Sequence, residues 1–105
     1  MNISFVLNGV TFTNANGLSR QQVIRWSNAG DPVRLERENG NPHDENAIRV
    51  IALKHGAMIG YVPRELAAVF VSERRFPAPG TIEDVFGGNG DHASLGCRIK
   101  AEFAE

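Results

Sequence analysis

The chain has 105 residues, 42% hydrophobic and 22% charged, a composition that excludes a disordered or collagen-like chain and a length that suits one small domain. Lys+Arg 11 against Asp+Glu 12 leaves a formal net charge of −1. That balance excludes a protein that coats nucleic acid through bulk positive charge, because such affinity comes from neutralising phosphates; a nucleic-acid role here needs a local patch and a shaped pocket.

The N-terminal run alternates Ile3, Phe5 and Leu7 with Ser4 and Val6, then continues through Val10 and Phe12 after Asn8-Gly9, predicting a first strand with a bulge or bend. Asn14 to Gly17 is a loop signal. Ser19, with Gln22 three residues on, has the spacing of a helix start, and the helix runs to about Asn28 with Val23, Ile24 and Trp26 on its apolar side and Gly30 beyond its end. Trp26 reads as a core anchor rather than a base-stacking platform. Val33 and Leu35 alternate with Arg34 and Glu36, predicting a half-buried strand. Asn39 to Asn46 is a polar loop, Ala47 to Leu53 a central strand, and His55-Gly56 a tight turn that returns the chain as a hairpin through Ala57 to Val62. Pro63 suits the first position of a helix over Arg64 to Ser72, with Leu66, Val69 and Phe70 on one face. Thr81 to Phe86 and Leu95 to Phe103 are two more alternating runs joined by the flexible turn Gly87 to Asp91.

These elements predict a mainly β fold: a small antiparallel barrel of about five to seven short strands with two short helices, one domain over residues 1–105, and Ile48, Val50, Ile59, Leu66, Val69 and Ile99 in its core. Cys97, the one cysteine, can form no internal disulfide and reads as a small buried residue. No basic flank with a following apolar run opens the chain, and no stretch approaches the ~20 apolar residues of a membrane span, so a cytoplasmic location and no membrane partner are expected. Nine of the eleven cations are Arg, which suits bidentate phosphate contacts and also fits a plain composition bias.

The most informative stretch is Asn41-Pro42-His43-Asp44-Glu45-Asn46-Ala47-Ile48-Arg49-Val50. Pro42 holds Asn41 extended, and Asp44 and Asn46 can fold onto nearby backbone amides, so the sequence predicts a rigid polar turn hung on a core strand. Together with Val33 to Glu38 before it and Ile59-Gly60-Tyr61-Val62-Pro63-Arg64-Glu65-Leu66-Ala67 after it, this stretch resembles the signature of the HIRAN family. Gly9 to Phe12 and Gly17 to Gln21 are similar to the start of its short bacterial members. The resemblance implies a compact barrel related to the OB fold and SH3-like barrels that captures the 3′-hydroxyl end of single-stranded DNA, in the setting of DNA repair or replication-fork processing. A helicase or nuclease is the partner protein that such a module would serve.

By the same resemblance the DNA-binding residues are Asp44 in the turn, His43 where the family has an aromatic, Tyr61 in the Ile-Gly-Tyr junction, Arg64 three positions later, Phe12 as an early aromatic and Phe103 as a late one. A His in place of the aromatic offers less stacking area. Thr11 stands where a basic neighbour of the early aromatic is expected. Each residue also has a plain reading. Asp44 can cap its own turn, Tyr61 can be half-buried core, Arg64 can pair with Glu65 or Glu38, and Phe12 and Phe103 can pack inside.

Catalysis finds little support. The adjacent residues His43, Asp44 and Glu45 point different ways on a turn, Asp91-His92 is too short a set for a metal centre, His55 has no evident partner, and no phosphate loop, paired-cysteine zinc spacing or nucleophile elbow occurs. The expectation is therefore no enzyme, no metal and no cofactor. Two readings stay open: a module that binds DNA ends, and a protein-interaction or scaffold domain that keeps the fold without a working DNA pocket.

Overall fold

The computed structural model describes residues 1–89 and 94–104. Gly90, Asp91 and His92, the end of the expected Gly-rich turn and the second His/Asp cluster, lie outside the described residues.

The elements in chain order are β1 (Asn2–Val6), α1 (Arg20–Arg25), β2 (Pro32–Arg37), β3 (Ile48–Ala52), β4 (Ala57–Tyr61), α2 (Arg64–Glu73), β5 (Ala78–Gly87) and β6 (Leu95–Glu102). The strands form one six-stranded sheet in the order β1-β6-β5-β2-β3-β4, antiparallel at every pairing. The sheet curls into a half-barrel, as the alternating runs predict.

Alternation decides which side is inside. Val33 and Leu35 of β2, Ile48 and Val50 of β3, Ile59 of β4, Ile82 of β5 and Cys97 and Ile99 of β6 are buried, while Arg34 and Arg98 between them are exposed. Phe70 of α2 packs edge-on against Phe5 and Phe103, with ring centroids 6.1 and 4.8 Å away, and so ties α2 to the core. Burial, and secondarily the Asp84 carboxylate, pushes the Cys97 thiol up to about 12, which leaves it protonated and inert.

In the hairpin of β3 and β4, Val50 stands opposite Gly60 and Arg49 opposite Tyr61, with a bulge between Val50 and Ile51. Ser19 caps α1 by accepting from the Gln22 backbone N–H at 3.3 Å.

The first strand is shorter than the sequence predicts. β1 ends at Val6, the Leu7 N–H still donates to Cys97 at 2.9 Å, and then the chain crosses to the other edge of the sheet. There Asn8 and Tyr61 exchange backbone hydrogen bonds in both directions, each 2.9 Å. Beyond this bridge Gly9 takes a φ of 70° and Val10 to Phe12 turn away from the sheet.

Three further expectations are corrected. Val69 is 47% exposed, because the stripe of α2 that faces the core runs through Leu66, Ala67, Phe70 and Val71. The run Leu66 to Val71 is apolar throughout and does not by itself choose a face. Trp26 is 50% exposed: α1 ends at Arg25, which makes Trp26 its C-cap residue, lying 5.8 Å from the His55 ring on the surface. Pro63 is the N-cap rather than the first helical residue.

Gly60 makes the edge-to-edge bridge possible. A Cβ there would lie 2.7 Å from the Asn8 carbonyl oxygen and 3.2 Å from Leu7 Cβ. Gly60→Ala is therefore expected to destabilise the fold by ~1–3 kcal/mol, the usual cost of forcing a methyl into a packed site, seen as a lower urea midpoint with an unchanged slope.

Candidate nucleic-acid interface

The bridge brings the chain after β1, the turn before β3, the end of β4 and the start of α2 together. Between them lies a groove of about 430 Å³ whose lining includes Phe12, Arg20, His43, Asp44, Tyr61 and Arg64. Five of the six residues that the resemblance nominates are thus gathered at one place. Phe103 is not among them: it is 6% exposed, packs against Phe70 and Phe76, and lines a separate hollow with Arg74 and Arg75.

The turn before β3 is rigid, but Asn41 does more of the work than the sequence suggests. Its Oδ1 accepts from the backbone N–H groups of His43 at 2.8 Å and Asp44 at 3.1 Å, and its Nδ2 donates to Glu38 at 2.9 Å. Asp44 Oδ1 accepts from the Asn46 backbone N–H at 2.9 Å, while its second oxygen makes no hydrogen bond among the described residues. Asn46 takes part through its backbone alone, contrary to the role expected for its side chain. His43 is exposed at the rim.

Tyr61 is half-buried, and its hydroxyl donates to the Glu38 carboxylate, whose oxygens lie 2.9 and 2.8 Å away. Desolvation, then the hydrogen bond and negative charge of Glu38, hold the phenol above its ordinary value of 10.0. With the hydroxyl engaged, the ring face is what Tyr61 can offer a ligand. Phe12 is 66% exposed, an open aromatic platform on the turn that follows the bridge.

Arg64 is exposed and forms no ion pair among the described residues, so neither Glu65 nor Glu38 neutralises it. Arg49, which follows the turn in sequence, is by contrast paired with Glu36 at 2.9 Å, as is Arg34 at 2.6 Å. Those two charges are spent on the outer face of the sheet.

Arg20 is the group that sequence reasoning missed. It is 7% exposed, and its guanidinium lies 5.4 Å from the Tyr61 ring centroid and 6.0 Å from that of Phe12. Its Nε donates to Asn14 Oδ1 and its Nη1 to the Gly9 carbonyl, both at 2.8 Å. Asn14 in turn donates to the Met58 carbonyl at 2.9 Å, tying the loop to β4. The signal in the sequence was the gap itself: Thr11 stands beside Phe12 where a cation is expected, and α1 supplies one from a different element.

No three His, Cys, Asp or Glu side chains converge on a metal-sized position among the described residues, and no described helix is long and apolar enough to cross a membrane.

A curled antiparallel sheet with a largely apolar, aromatic-walled groove beside the bridge that joins its edges defines a small β-barrel-like module. The HIRAN domain family model matches residues 8–102, and the chain belongs to the HIRAN family, whose domains are known generally as non-catalytic DNA-binding modules. The structure is similar to the crystal structure of the HIRAN domain of human HLTF, with a TM-score of 0.60 and 21% identity, covering 99% of this chain and 77% of that one. It is also similar to that of a protein from Lactobacillus plantarum, with a TM-score of 0.61 and 20% identity, covering 96% of this chain and 97% of that one. No curated protein sequence matches significantly.

The chain's single tyrosine allows a clean test of the groove's wiring. Glu38→Gln removes the carboxylate that faces Tyr61 and is expected to lower the Tyr61 pKa from its wild-type value, read from tyrosinate ultraviolet absorbance in an alkaline titration.

Proposed function

We propose that this chain captures the end of a single DNA strand, a 3′-hydroxyl end, in the groove between Phe12, Asp44, Tyr61 and Arg64, and does so without chemistry of its own. The observation that carries this reading is the uncommitted Asp44 oxygen sharing one groove with the unpaired cation Arg64. A carboxylate oxygen accepts the hydrogen bond of a terminal hydroxyl and repels a terminal phosphate, whereas an arginine holds the phosphodiester behind it. The Phe12 and Tyr61 rings give bases a face to stack on, which suits a strand of any sequence. The near-neutral whole chain fits recognition of an end better than coating of a strand. Repair or replication-fork processing, alongside a helicase or nuclease, is the setting in which such ends arise.

The Glu38 carboxylate beside Tyr61 and the net charge of −1 favour the other reading, a protein-interaction domain. Fluorescence anisotropy with labelled single strands ending in a free or a phosphorylated 3′ position separates the two. The wild-type protein is expected to prefer the free end. Asp44→Asn keeps the acceptor for the Asn46 amide and removes the charge, so it should abolish the preference. Phe12→Ala, which costs no core packing, should weaken binding about ten-fold, the loss of one stacking contact. Arg64→Ala should weaken binding and flatten its salt dependence by about 0.7 in log–log slope, the share of one phosphate on a single strand. Equal binding of both ends, or none at low salt, would leave the protein-interaction reading in its place.

A further inference from the structure

The geometry points to a second phosphate-binding position in the groove, a phosphodiester subsite headed by Arg20, distinct from the one that Arg64 supplies. This inference rests on the end-binding reading and adds a ligand contact to it.

Arg20 is held as a recognition residue needs to be held. Its guanidinium is anchored through Nε to Asn14 and through Nη1 to the Gly9 carbonyl, both neutral acceptors, so its positive charge meets no carboxylate. Nη2 has no hydrogen bond. The only buried side-chain nitrogen or oxygen without a partner among the described residues is Arg37 Nε, so Arg20 Nη2 is not fully sealed from solvent although the side chain as a whole is nearly buried. A buried cation with one free N–H edge and no anion is costly to leave unmatched and favourable to complete with an anion.

Arg20 lines the groove beside Phe12 and Tyr61, and lines as well the neighbouring hollow that holds Glu36 and Glu38; its charge lies near both rings. Gly9 sits where the three side chains meet. A Cβ on Gly9 would lie 3.3 Å from Arg20 Nη1, 3.5 Å from Tyr61 Cδ2 and 3.7 Å from Phe12 Cδ2. The space over Gly9 is thus open only because this residue has no side chain, and its φ of 70° suits glycine. A strand whose base stacks on Phe12 carries its phosphodiester next to that base, within the reach of a planar donor set beside the same ring. Arginine suits this place better than lysine, since three of its donors can be divided between two anchors and one ligand. Arg20 therefore supplies, from α1, the cation that position 11 lacks.

Methylphosphonate scanning tests this with the folded protein. Single strands with a free 3′ hydroxyl carry one neutral methylphosphonate linkage at a time, and binding is measured to wild-type and Arg64→Ala proteins. Arg64 is exposed and unpaired, so that variant folds normally. The expected result is that one linkage near the end still matters in Arg64→Ala, its neutralisation weakening binding roughly ten-fold, the value of one charge-assisted hydrogen bond. Arg20→Gln should remove sensitivity to that linkage and lower the salt slope by about 0.7, whereas Arg20→Lys should restore the slope without the full affinity. Indifference of Arg64→Ala to every linkage overturns the subsite even if Arg20→Gln does not fold, and so does an Arg20→Gln protein that keeps the sensitivity. Those failures leave end binding by the wild type intact. A wild-type protein that binds no strand at all overturns the end-binding reading and the subsite together.

Discussion

The reciprocal backbone pair between Asn8 and Tyr61 is the contact on which the rest of this molecule depends. It joins the end of the β1 segment, at one edge of a six-stranded sheet, to β4 at the other, the single bridge between these edges among the described residues. An open sheet edge exposes unpaired N–H and C=O groups, and bridging the two edges satisfies some of them while curling the sheet around its core. The bridge also fixes where the chain leaves the sheet. The segment that carries Gly9 and Phe12 starts at Asn8, and the residue opposite is Tyr61, so closure of the fold and assembly of the groove are one event. Gly60 belongs to both, since a side chain there would push the edges apart.

Part of the charge of this protein is neutralised in local pairs. Glu36 neutralises Arg34 and Arg49 on the outer face, and Lys54 pairs with Asp31 at 2.8 Å. Arg20 and Arg64 line the groove and have no acidic partner among the described residues. A chain of net charge −1 can therefore still present a local positive field, because exposed pairs are screened within a Debye length of about 8 Å at physiological salt while an unpaired cation in a hollow is not cancelled. Glu38 is the counterweight: it is occupied by the Tyr61 hydroxyl and by Asn41, so it serves as a brace between β2, the turn and β4.

Several groups in the groove do two jobs. Asp44 caps its turn through one oxygen and keeps the other uncommitted, so the plain reading of this residue and the functional one are compatible rather than rival. Tyr61 contributes backbone to the bridge, its hydroxyl to Glu38 and its ring to the groove wall. Such sharing holds the groove rigid without a large core behind it, because each side chain is fixed by contacts that the fold needs anyway.

Local patterns were legible because they act over a few residues. Alternation in Val33 to Glu36 and Ile48 to Ala52, the Ser19 cap, the His55-Gly56 hairpin and the polar turn at Asn41 to Asn46 each follow from side-chain period or turn chemistry, and together they determined the strands, the inner faces and the position of Asp44 relative to Tyr61. The tertiary structure decided what depends on partners far away in the chain. It ended the first strand at Val6, because Asn8 pairs across the sheet with β4. It turned Val69 outward, because a helix stretch apolar on every side takes its inner face from the surface it meets, and it left Trp26 outside because α1 ends before it. It left Phe103 inside with Phe70 and brought Arg20 to Phe12 and Tyr61. Periodicity gives a residue's direction within its own element, but which elements face one another is determined only when the sheet curls and its edges meet.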